Sequence, residues 1–100
     1  MEALEAILTR RSVRRYTDQP VSDESITGLL RAAMAAPSAQ NQQPWEFIVL
    51  RERSLLEKLA AASPYAGMVA GAQVAVVVCG DTSRERSPGY WIQDCSAAVQ

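Results

Sequence analysis

Four arginines and a serine fall within six residues, Arg10-Arg11-Ser12-Val13-Arg14-Arg15. Each guanidinium presents a planar fork of N–H donors that matches two phosphate oxygens, and the Ser12 hydroxyl can donate one bond more. The same pattern suits a solvated or salt-bridged basic patch, or a clamp on nucleic-acid phosphates. A second stretch, PSAQNQQPWEFIVL from Pro37 to Leu50, crowds Ser38, Asn41, Gln42 and Gln43 ahead of an apolar run. Side-chain amides carry both donor and acceptor, so they complement the alternating N–H and C=O edge of a flavin or a base. Alternatively, Ser38 and Asn41 satisfy backbone groups in a turn while Pro44 fixes the entry into a strand. Trp45 and Phe47 alternate with Glu46, which makes them core residues rather than a stacking platform.

Composition narrows the chemistry. Ten basic residues against eleven acidic ones leave a net charge of −1, so no global field draws in nucleic acid or an anionic membrane, and any anion site is local. The chain has no histidine, and its two cysteines, Cys79 and Cys95, form no CxxC pair, so no metal site is expected. The acidic start Met1-Glu2-Ala3-Leu4-Glu5 has neither a basic leader nor a long apolar stretch. No signal peptide and no membrane span are read there, which makes the cytoplasm the expected compartment.

The elements that must position these groups follow from periodicity. Leu4, Ile7 and Leu8 mark a short amphipathic helix over residues 2–9, and the arginine run leaves its end as a connector toward a turn at Asp18-Gln19-Pro20. Ser22 caps a second helix with the stripe Ile26, Leu29, Leu30, Ala33 and Met34, ended by Pro37. A strand over Trp45–Leu50 follows, then a helix capped by Ser54 and carrying Leu55, Leu56 and Leu59. The continuous apolar run Val74–Cys79 predicts a central strand covered by helices on both faces. After the polar loop from Asp81 to Gly89, a last helix from Tyr90 places Ile92, Cys95, Ser96 and Val99 on one stripe.

Taken together, RRSVRRY, a helix, APSAQNQQPW and the strand WEFIVL resemble the nitroreductase family of FMN-dependent oxidoreductases. The resemblance extends through VAVVVCG and YWIQDCSAAVQ, over essentially the whole chain. It implies an α+β, three-layer fold with a central sheet flanked by helices. It further implies that Arg10, Arg11, Ser12 and Arg14 hold the phosphate and ribityl end of FMN, a set that does not include Arg15. Ser38, Asn41 and Gln43 would contact FMN, typically the flavin held mainly by the other subunit of a homodimer. The implied reaction is ping-pong: NAD(P)H, as co-substrate, reduces the flavin, and a small-molecule acceptor such as a nitroaromatic or quinone then takes the electrons. The cofactor carries that chemistry, so no catalytic acid or base is named. A non-catalytic flavin- or nucleotide-binding module is the alternative with the same binding residues.

Nitroreductase-like domains are longer than 100 residues. The helix from Tyr90 has no glycine, asparagine, proline or basic last turn to end it. Residues 1–100 are therefore expected to form the first half of one domain, with the helix continuing past Gln100 and both strands completed by further sequence and a second subunit.

Overall fold

A computed structural model describes residues 1–100, with six elements joined by irregular segments and short 3-10 turns. The helices are α1 (Ala3–Thr9), α2 (Asp23–Met34), α3 (Arg53–Ala61) and α4 (Trp91–Val99), and the strands are β1 (Trp45–Leu50) and β2 (Ala75–Gly80). Helix α2 starts where expected: the Ser22 hydroxyl accepts the Ser25 N–H at 3.1 Å, and Asp23 and Glu24 occupy the first turn, where the helix dipole favours negative charge. Its predicted apolar stripe is only partly covered. Ile26 is buried and Leu30 and Ala33 are half-buried, but Leu29 and Met34 remain exposed.

Helix α3 begins two positions earlier than its sequence suggests. Glu52, not Ser54, is the residue at its N-cap, and the Ser54 hydroxyl instead donates to the Glu52 carboxylate at 3.1 Å from within the first turn. Leu56 is its fully buried contact. Helix α1 forms over Ala3–Thr9, but Leu4, Ile7 and Leu8 are all exposed, so its amphipathic pattern meets no partner surface within these residues.

The strands pair antiparallel, in a register that sets Trp45 opposite Gly80 and Leu50 opposite Ala75. The expected central strand is corrected here in two respects. It spans Ala75–Gly80 rather than 74–79, and its single neighbour is β1 in a two-stranded sheet. A continuous apolar run reports that both faces of a strand avoid water, not which residues cover them; within these 100 residues Ile48 and Val76 stay exposed. Helical cover is supplied by α4 and the end of α2. Trp45, Cys95 and Ala98 form the buried centre, surrounded by Ala33, Ala36, Phe47, Val78 and Trp91. Trp45 is thus a core residue, as its alternation with exposed Glu46 predicts.

The stripe assigned to α4 is also corrected. Its buried residues are Asp94, Cys95 and Ala98, whereas Ile92 and Val99 face solvent. Trp91, at the start of the helix, packs its ring over the end of β2. A Cβ added at Gly80 would lie 2.4 Å from Trp91 Cε3, so only glycine permits that approach.

Candidate functional site

The arginine segment is irregular from Arg10 to Tyr16, and all of Arg10, Arg11, Ser12, Arg14 and Arg15 are exposed. None of these arginines has an acidic partner. The ion pairs of the chain are Arg51–Asp23, Arg84–Glu46 and Arg84–Asp81. The salt-bridged reading of the segment therefore fails, and four guanidiniums are left with free hydrogen-bonding forks. Arg15 lines a cavity of about 510 Å³ with Tyr16, Gln19, Val69 and Gln73.

The amide stretch folds as a turn with an unusual backbone. Gln40, Asn41 and Gln43 have φ of 50°, 50° and 46°, the left-handed region that L-residues other than glycine enter at a cost of roughly 1–2 kcal/mol each. Such strain persists only where the surroundings over-determine it. Here the Ser38 hydroxyl accepts the Gln43 N–H at 3.1 Å, the Ser38 carbonyl accepts the Asn41 N–H at 3.0 Å, and the Gln40 amide donates to Ser87 Oγ at 2.8 Å. Pro44 is fully buried, and its carbonyl accepts the Asp81 N–H at 2.7 Å, which anchors the turn to the start of β1.

The predicted site residues separate accordingly. Ser38 spends its oxygen as an acceptor inside the turn, the structural role that sequence left open, and its O–H remains able to donate. Asn41 and Gln43 are exposed, and their side-chain amides make no hydrogen bond within the chain. Gln42, grouped with them by residue type, does the opposite. It is 8% exposed, its carbonyl oxygen accepts the N–H groups of Arg86 and Ser87, and its NH2 donates to Asp94. The arginine and amide stretches are not brought into one cavity: Ser38 lines a separate cleft with Pro37, Tyr90 and Asp94.

Sequence reasoning missed Asp94, which is 4% exposed and accepts from both the Ala39 backbone and Gln42. The available signal was its isolation, since Asp94 is the only charged residue of α4. Next to it, burial pushes the Cys95 thiol above its ordinary pKa, reinforced by the Asp94 charge and by Cys79, so Cys95 stays protonated and packs as an apolar residue.

The connector after β2 is held by a second carboxylate. Asp81 accepts the Ser83 hydroxyl at 2.6 Å and the Ser83 N–H at 3.0 Å, and these bonds, with the Arg84 charge, lower its pKa from the ordinary 3.8. A depressed carboxyl pKa contributes stability that is fully present above the ordinary value and disappears as pH falls through the lowered one. An NMR titration should place the Asp81 inflection below 3.8, with the Ser83 amide signal moving in the same step. An Asp81 inflection at or above the ordinary value would remove this contribution.

A sequence model described as "Nitroreductase family" matches residues 7–64, the span that carries both stretches. A curated protein of Methanothermobacter thermautotrophicus named "Putative NADH dehydrogenase/NAD(P)H nitroreductase" is 53% identical over 100 residues, covering 100% of this chain and 52% of that protein. The crystal structure of a Bacteroides thetaiotaomicron protein of the same name superposes with a TM-score of 0.91 at 48% identity, covering 98% of this chain and 56% of that one. A structure from Desulfovibrio desulfuricans, described as "a putative nitroreductase in complex with fmn", gives a TM-score of 0.86 at 42% identity, over 97% and 57% of the two chains. The chain spans about half the length of the curated relatives it matches. These likenesses cover the helices, both strands and the two candidate stretches alike, and the chain belongs to the nitroreductase family.

Proposed function

We propose that the protein is an FMN-dependent oxidoreductase that draws electrons from NAD(P)H and passes them to an oxidised small molecule such as a nitroaromatic or a quinone. The observation that carries this reading is the free state of two donor sets: guanidiniums without acids at Arg10, Arg11 and Arg14, and amides without partners at Asn41 and Gln43. A flavin mononucleotide fits both, since its phosphate is dianionic and its ring edge alternates donors and acceptors. Bound FMN would supply the redox chemistry, taking hydride from NAD(P)H and, once the nicotinamide has left, reducing the acceptor.

The chain's own residues bind and orient. Arg10, Arg11, Arg14 and the Ser12 hydroxyl hold the phosphate and ribityl end, and Asn41, Gln43 and the Ser38 O–H face the ring. That Arg15 and Ser38 line separate cavities supports a homodimer in which the two sets serve flavins held mainly by different subunits. These 100 residues read as one stretch of a single nitroreductase domain, in keeping with the half-length match and with only nine buried residues. A cytoplasmic location goes with NAD(P)H as co-substrate, and no helix of the chain is long and apolar enough to cross a membrane.

The direct test is the visible spectrum of protein purified without added cofactor, followed by NAD(P)H oxidation monitored at the nicotinamide band. Flavin bands and turnover are expected. Flavin bands without NAD(P)H oxidation would leave a binding module only, and protein that neither carries nor takes up FMN would overturn the reading.

A further inference from the structure

We propose that Asp94 and Gln42 are positioning residues, a buried carboxylate–amide junction that sets the turn facing the flavin from behind; the assignment rests on the FMN reading above. The hydrogen bonds are directional enough to fix every atom. Two backbone N–H groups, of Arg86 at 2.8 Å and Ser87 at 3.0 Å, can be accepted only by the Gln42 carbonyl oxygen. Its NH2 group must then point to Asp94 Oδ2, at 2.7 Å. Asp94 Oδ1 accepts the Ala39 N–H at 2.9 Å. No arginine or lysine pairs with this carboxylate, so its charge is met by N–H donors and by the first turn of α4.

The consequence for the turn is an alternation of held and free groups. Ala39 and Gln42 are tied to Asp94, Gln40 is tied to Ser87, and Asn41 and Gln43 are left pointing out with unused amides. Three left-handed residues in a span of four would relax toward ordinary backbone without that anchor, carrying both free amides with them. Asp94 is not one of the proposed flavin contacts; it lines the cleft beside Ser38 and acts through the turn.

An exchange of donor and acceptor tests this. Gln42→Glu sets two carboxylate oxygens against each other across the 2.7 Å contact, and Asp94→Asn sets its NH2 against a donor whichever way the amide turns, the fixed Gln42 NH2 or the Ala39 N–H. The double variant Gln42→Glu/Asp94→Asn restores one donor and one acceptor at the same contact and keeps the acceptors for Ala39, Arg86 and Ser87. Each single variant should weaken FMN binding by on the order of tenfold or more in a fluorescence titration of the full protein, as expected for a broken buried hydrogen bond. Each should also speed amide exchange at Ala39 and Gln43 in the flavin-free protein. The double variant should return the affinity to within about threefold of wild type, together with the flavin midpoint potential.

Unchanged amide exchange and FMN affinity in both single variants would overturn the junction, and so would a double variant no better than the worse single one. If a single variant fails to fold, the double variant decides alone, by binding FMN like wild type or failing to. Wild-type protein without FMN affinity would overturn the flavin reading and the flavin-facing assignment with it, while the exchange data still report whether the junction holds the turn.

Discussion

Replacing Arg10 and Arg14 together with alanine is expected to lower FMN affinity by about 3 kcal/mol, on the order of a hundredfold in Kd, while leaving the flavin-free protein as stable as before. Charge-assisted hydrogen bonds contribute about 1.5–3 kcal/mol each, and the low end applies because exposed guanidiniums are well hydrated before they bind. Stability should not move, since neither side chain makes a hydrogen bond or ion pair within the chain. Fluorescence titration and thermal melting measure the two halves of the expectation separately. Undiminished affinity in the double variant would take both residues out of the site.

Trp45→Ala is expected to act in the opposite way, on the fold before the flavin. Trp45 is 6% exposed at the centre of the cluster with Cys95 and Ala98, and truncating a buried tryptophan costs about 3–5 kcal/mol in lost burial and residual cavity. That is a large share of the roughly 5–15 kcal/mol by which a domain is stable. Urea unfolding of the flavin-free protein should show the whole loss. A loss visible only with FMN bound would make Trp45 a platform for the flavin and contradict its place in the core.

The sequence carried the elements well and their faces less well. Alternation of Trp45, Glu46 and Phe47 placed β1 correctly, because a strand with one covered face writes its burial into every second residue. The α4 stripe failed because its covered residues are small or polar: Ala98 and Asp94 carry little hydrophobic signal, whereas Ile92 and Val99, which do, point outward. At the site, residue type identified which groups can bind an anion or an amide edge, and spacing grouped them. It could not separate Gln42 from Gln43, because adjacent amides of like chemistry differ only in backbone direction, and that direction is set by Asp94 some fifty residues away. Ser54 shows the same limit locally: serine is the better N-cap by residue type, yet α3 starts at Glu52, which makes no side-chain cap bond.

The distance in sequence between Asp94 and the turn has a consequence for chain entropy. Its two bonds close segments of 52 and 55 residues. Closing a loop of that length costs about 2 kcal/mol more than closing a four-residue turn, roughly what a single buried hydrogen bond returns. That closure cost offsets much of what the two bonds of the polar junction contribute. Cys95 and Ala98 packing on Trp45 adds an apolar contribution to the same closure, and with α4 so placed Asp94 reaches Gln42 and Ala39 with little further ordering. The geometry of a polar turn at the surface thus depends on an apolar contact along the same buried face of α4, and Trp45→Ala should loosen the amides of Ala39 and Gln43 without touching either.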